Sequence, residues 1–353
     1  MRSGGNLKKS SLPPRSAEIL HSIVSAYIES GEPVASRTVS RRTRTRLSPA
    51  SIRNIMADLS EEGYLSQPHT SAGRIPTAKA FQDYVQTLQI ARYPSLEASR
   101  LREEIEHTDG VEARVEKSSH LLTKYSKNMG IAAAIPTENQ VLHQVELMPL
   151  ADRRVLMIVV TRDRIVRDKV VTLDQDIPRD ELISIRNYIN ENFSGWSFSA
   201  IQRELRVRLE EERAVYDRIL RRLISLLERG LLDIGLAPTL HTEGASNLVG
   251  LDLHLTREKM RELFRALEEK KRILELLDRF LQPSGEVGVQ VGLEEVHPNM
   301  SELALIGFTV ELPTGLSAKV AVLGPMRMNY ERVMSAVYHV GQALRMSATE
   351  PSR

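Results

Sequence analysis

The chain runs to 353 residues without a single cysteine. That excludes disulfides and thiolate metal sites, and it suits a reducing compartment. One tryptophan, Trp196, and an aromatic share of 5% leave the core to aliphatic side chains. Trp196 sits in ENFSGWSF and is expected as a core or loop anchor, since tryptophan is highly buried on average. No apolar run reaches the roughly 18 residues that a membrane helix needs. The opening MRSGGNLKKSSLPPR has no apolar stretch of signal-peptide length, so a cytoplasmic protein without membrane contact is expected. The phosphate-cradling G-x-x-x-x-G-K-[ST] and G-x-G-x-x-G loops, the G-x-S-x-G elbow and the H-E-x-x-H zinc helix are missing. The nine histidines are scattered with no pair at metal-ligand spacing. Paired carboxylates such as Glu211–Glu212 or Glu294–Glu295 read as ordinary surface charge. No enzyme, metal or cofactor is expected.

What is present is concentrated near the N-terminus. Ser48 is a good N-cap, and Pro49 follows at the first helical position, where its missing N–H costs nothing. Ile52, Ile55, Met56 and Leu59 then share one face at helical spacing. Gly63 stops the helix. The other face carries Ala50, Asn54 and Ala57, with Ser51 and Arg53 near the start. Small and hydrogen-bonding residues there suit a major groove, where asparagine pairs with adenine and arginine with guanine or phosphate. Upstream, Arg15–Ser30 reads as a helix with Ile19, Leu20, Ile23, Val24 and Tyr27 inward. Ser36–Arg42 reads as a short second helix capped by Ser36. Downstream, Tyr64–Gln67 and Arg74–Thr77 read as two strands around the polar tip PHTSAG. There Gly73 is expected to supply the positive φ of a turn. The order is that of a winged helix-turn-helix. Its candidate DNA contacts are Ser36, Arg37, Thr38 and Arg42 around the second helix. On the third they are Ser48, Ala50, Ser51, Arg53 and Asn54, and at the wing His69, Thr70, Ser71 and Arg74.

Charge agrees. Residues 1–95 hold 13 Lys+Arg against 7 Asp+Glu, a net of +6, whereas the rest of the chain is at −4. The overall +2 therefore hides a basic N-terminal region on a mildly acidic body, the footprint of a nucleic-acid module. Arg37, Arg41, Arg42, Arg44 and Arg46 crowd the run before the third helix.

GEPVASRTVS (31–40), LSPASIRNIMADLSEEGYLSQPHTSAGRIPTAKAFQDYV (47–85) and GPMRMNYERV (324–333) resemble the signatures of the HrcA family of bacterial heat-inducible transcription repressors. The middle block is long and specific, and the likeness is weakest over about 200–285. The resemblance implies an α+β multidomain fold: an N-terminal winged helix, a GAF-like domain, and a helical dimerisation domain inserted into it. It also implies a homodimer on double-stranded DNA, binding an inverted-repeat operator called CIRCE upstream of chaperone operons, with a chaperonin keeping the repressor active. The chain departs from the family pattern at Ala35, at Ala80, Phe81 and Gln82, at Gln86, and across VGLEEVHPNM (291–300).

These expectations divide the chain into six stretches. A disordered arm (1–13) precedes a winged helix (14–95). The GAF-like domain comes in two segments (96–199 and 286–346), with the inserted dimerisation domain (200–285) between them and a tail (347–353) at the end. In the body, 97–128 reads as a charged helix with a break at Gly110. Strands are expected at 130–135, 141–148, 155–161 and 165–171, a helix at 180–192, and long helices at 201–232 and 256–281. Strands return at 287–293, 303–312 and 317–323, before a helix at 330–346. VLMIVV reads as a buried central strand. The apolar stripe of 256–281 suits a dimer interface whose twofold would match a palindromic operator. The alternative reading is a small-molecule-gated transcriptional regulator, because a GAF-like fold often holds a ligand pocket.

Overall fold

The computed structural model describes residues 12–43, 47–69, 72–88, 95–211, 222–223, 226, 229–249, 256–283, 285–312 and 315–347. The arm 1–11 and the tail 348–353 lie outside the described residues, but Leu12 is buried at 8% exposure, so the ordered chain starts before residue 14.

Three helices come first: α1 (Pro14–Ser30), α2 (Ser36–Arg42) and α3 (Pro49–Glu61). A two-stranded ribbon, β1 (Leu65–Ser66) and β2 (Ile75–Pro76), leads into α4 (Ala78–Thr87). α1 opens with Pro14 in its first turn and closes at Gly31, whose φ of 72° lets its N–H return to Tyr27 O at 2.8 Å. Its inward residues are Ile19, Leu20, Ile23, Val24 and Tyr27, as the periodicity predicts.

Two charged helices follow, α5 (Ser95–Glu106) and α6 (Val111–Ser126), separated at Gly110. They lead into the larger of two sheets. It is antiparallel, in the order β7-β3-β10-β9-β8, with β3 (Met129–Pro136), β7 (Thr239–Glu243), β8 (Gly288–Val291), β9 (Leu303–Leu312) and β10 (Leu316–Pro325). Alternation sorts its side chains. Ala132, Ala134, Ile306, Phe308, Val320 and Val322 join the core shared with α5, α6 and the last helix. Met129, Ile131, Ala133, Leu305, Ala321 and Leu323 face a second helical layer. Strands covered on both faces read as continuous apolar runs, as β10 does.

The smaller sheet, β4-β5-β6, holds β4 (Leu142–Leu150), β5 (Arg154–Thr161) and β6 (Val166–Thr172). Helices α7 (Arg179–Phe193), α8 (Phe198–Glu211) and α9 (Leu231–Gly235) belong to the same unit. It has its own core, including Val145, Leu147, Val155, Met157, Val159, Ile185, Phe193, Phe198 and Ile201. Asn190 of α7 fastens helix to sheet, accepting from Val145 N at 2.8 Å and donating to Val145 O at 2.9 Å.

This grouping runs differently from the expected division at 200 and 285. The chain leaves the large sheet after β3 and returns at β7, so the excursion spans about 137–238 and contains strands as well as helices. The expected helix 256–281 is two helices, α10 (Arg257–Glu268) and α11 (Lys270–Phe280), with Glu269 extended between them. Both lie on the large sheet through Leu263, Leu267, Ile273, Leu276 and Leu277, so their stripe is intramolecular core. Strand β7 was not expected. The expected helix 201–232 is described only as α8 and α9, the residues between lying largely outside the described set. VLMIVV is central in its sheet but fully buried on one face only. Trp196 is 41% exposed, its ring centroid 5.7 Å from that of Phe193 and nearly perpendicular to it, so it anchors a loop without entering the core. The chain ends in α12 (Tyr330–Ser347) with Val333, Val337, Val340 and Leu344 inward.

Candidate nucleic-acid interface

The third helix is built as its sequence asks. Ser48 Oγ accepts from Ser51 N at 3.2 Å, satisfying one of the N–H groups a helix start leaves unpaired. At the other end Gly63, at φ 80°, lets Tyr64 N reach Leu59 O at 2.9 Å and Gly63 N reach Ser60 O at 3.1 Å, a double closure of the last turn. Ile52, Met56 and Leu59 are buried, each worth about 1.5–3 kcal/mol of transfer free energy. Ser48, Ala50, Ser51, Arg53 and Asn54 are therefore left on one exposed face. Arg53 and Asn54 supply donors of guanine- and adenine-reading type, and Ala50 and Ser51 leave room for close approach.

On α2, Arg37 and Thr38 are exposed beside Arg41. Ser36 corrects the expectation. The N-cap is Ala35 and no side chain caps the helix; Ser36 is its first residue and is 8% exposed. Arg42 is exposed, but its guanidinium is held by Glu29 of α1. The guanidinium holds the Glu29 carboxyl below its ordinary range. Sequence reading missed this partner; an acid at the end of α1, just ahead of an arginine-rich run, was the available signal.

At the ribbon, His69 is exposed and Arg74 half-buried, while Thr70 and Ser71 lie outside the described residues. Arg74 and Val34 exchange backbone hydrogen bonds of 2.9 Å each way, a single antiparallel bridge beside the ribbon. Gly73 is not at positive φ. A Cβ there would sit 2.6 Å from the carbonyl of Val34, so glycine is required for close backbone approach. Lys79 of α4 braces the ribbon base, donating to Glu62 O at 2.8 Å with its ammonium 4.1 Å from the Tyr64 ring centroid.

No group of three or more His, Cys, Asp or Glu poised for a metal occurs among the described residues, and no described helix is long and apolar enough to cross a membrane.

A mixed helix-and-sheet chain that presents a capped helix with Arg53 and Asn54 exposed, beside a short ribbon carrying Arg74, has the form of a DNA-binding transcription regulator. The family model described as "HrcA protein C terminal domain" matches residues 112–334. The heat-inducible transcription repressor HrcA of Geobacter sulfurreducens is 35% identical over 325 residues, 92% of this chain and 94% of that protein. The protein of the same name from Xanthomonas campestris pv. campestris is 32% identical over 344 residues, 96% and 97% of the two chains. The chain belongs to the HrcA family. A solved structure titled "Crystal structure of a hypothetical protein at 2.2 A resolution" shares the fold, with a TM-score of 0.56 and 20% identity over 96% of this chain and 98% of that one.

Proposed function

We propose that the protein is a repressor of heat-shock transcription. In this reading it acts as a homodimer that lays α3 in the major groove of an inverted-repeat, CIRCE-type operator and lets go on heat stress. Family membership supports repression, and with it a non-enzymatic role. The observation that carries the DNA reading is the exposed face of α3, with Arg53 and Asn54 on a helix fixed at both ends. The N-terminal elements act as a winged helix, with His69, Thr70, Ser71 and Arg74 on the wing and Arg37, Thr38 and Arg42 toward phosphates. The large sheet with its helices is the GAF-like domain. The β4–β6 unit is the inserted dimerisation domain: the sheet face turned from its helices exposes Met148, Val166 and Val170, with Leu156, Ile158 and Val160 half-buried between them. An apolar face of this kind marks an interaction surface. The protein works in the cytoplasm, and a chaperonin that rebuilds the heat-labile dimer would restore repression.

Replacing Asn54 with alanine tests the site. Loss of a bidentate base contact costs about 1–3 kcal/mol and relaxes base preference at one position. Unchanged affinity and preference would refute this placement of α3. Heat release is tested by following dimer dissociation and operator release together; well-separated midpoints would refute it. The ligand-gated alternative has one observation in its favour, an open cleft of about 400 Å³ between the ribbon base and the turn Pro325–Arg327. A metabolite that shifted operator affinity would support it.

A further inference from the structure

The DNA-binding elements do not hang from the body by the chain alone. Phe81 and Tyr84 of α4 pack around Tyr330 at the start of α12, their ring centroids 6.0 and 6.5 Å from its own. Gln82, between them in sequence, donates from Nε2 to Val291 O of edge strand β8 at 3.2 Å. Arg327, in the turn between β10 and α12, lays its guanidinium against Gly31, in the space a Cβ there would take. That places a cation at the carboxyl end of α1, where the helix dipole favours it. Tyr330 is buried, and its hydroxyl donates to Met326 O at 2.7 Å. The ring that α4 leans on is therefore fixed to the turn that presents Arg327. One set of contacts holds α4 and the other lies against the end of α1. Two separated contacts restrain an angle as well as a distance.

We propose that Gln82, Arg327 and Tyr330 are positioning residues for operator binding: they hold the DNA-binding module at one angle on the body. In a dimer the body then sets the distance and twist between the two recognition helices. The inference rests on the dimeric reading above. Its physical basis is effective concentration. When the first half-site is bound, the second helix gains roughly 10²–10⁴-fold only if its geometry matches the second half-site. A module on a loose joint spreads over many angles, which lowers that gain and makes it insensitive to half-site spacing.

The test uses the full-length protein and the variant Gln82→Ala/Arg327→Ala. Gln82 is exposed and Arg327 half-buried, so the variant leaves the aromatic core intact. Affinity is measured for a single half-site, for the inverted repeat, and for repeats whose spacer is lengthened by two base pairs, which turns one half-site by about 70°. The variant is expected to bind the half-site as the wild type does and to lose about tenfold on the full repeat. Its response to the longer spacer should be much flatter than the wild type's. Wild-type affinity and spacer response in the variant would overturn the proposal. So would a parallel fall in half-site affinity, which would mean that the contacts only stabilise the fold. A wild-type protein that bound the repeat no better than the half-site would instead remove the dimeric reading, and the inference with it.

Discussion

Gly73→Ala probes how the ribbon is seated, and its cost follows from a few distances. A Cβ at Gly73 would stand 2.6 Å from Val34 C and O and 2.7 Å from Pro33 C. These are backbone atoms with no rotamer to yield, so the strands must separate. Separating them breaks the two 2.9 Å hydrogen bonds between Val34 and Arg74 and loosens Val34, which is 3% exposed. Two net hydrogen bonds at about 0.5–1.5 kcal/mol each, with a share of a valine's burial, give a loss of roughly 2–4 kcal/mol. Urea unfolding should show a lower midpoint with an unchanged slope, and hydrogen exchange should show loss of protection at Val34 and Arg74. Asparagine provides the contrast. A left-handed position tolerates asparagine better than alanine, whereas a close-approach position rejects the larger side chain at least as strongly. A G73A protein within about 0.5 kcal/mol of wild type, or a G73N protein more stable than G73A, would refute the reasoning.

Three further outcomes are expected. Ser48→Ala removes the cap of α3 and should cost about 1 kcal/mol in chemical denaturation, with glycine at that position recovering most of the loss. Glu29→Gln releases Arg42 and should tighten binding to all duplexes alike while steepening the salt dependence; unchanged binding would mean that Arg42 does not reach phosphate. His339 is pushed below its ordinary pKa by burial and then by the nearby Arg102, so the folded state favours its neutral form. Stability from this residue is present above the unfolded pKa near 6.5 and is lost as pH falls below it. His339→Gln should therefore flatten the fall in melting temperature on acidification from neutrality.

The features legible in the sequence are those decided by neighbours in the chain. Ser48, Pro49 and Gly63 bound α3 through local hydrogen bonds, and the apolar spacing of α1, α3 and α12 fixes their inward faces. Ser36 misled because serine is a good cap, yet which residue caps depends on a backbone angle, and Ala35 holds it. Gly73 misled because glycine serves both turns and close approaches, and only the position of Val34 decides between them. Which strands share a sheet was not legible, for a non-local reason. Strands β3 and β4 follow one another in the chain but join different sheets, and pairing partners more than a hundred residues apart are not named by local periodicity. The stripe from 256 to 281 runs on through Glu269 without a glycine or proline, so no local signal marks the break between the two helices. Arg327 and Tyr330 sat in a recognisable block, GPMRMNYERV, whose role appears only once α1 and α4 are seen against it.

The central claim is sequence-specific operator binding through α3. Fluorescence anisotropy of a CIRCE-type inverted repeat against a scrambled duplex, at one near-physiological salt concentration, tests it most directly. Specific binding is expected to exceed the scrambled control by about 10³-fold or more. Equal, weak and strongly salt-dependent binding to both duplexes, persisting when chaperonin is added, would contradict it.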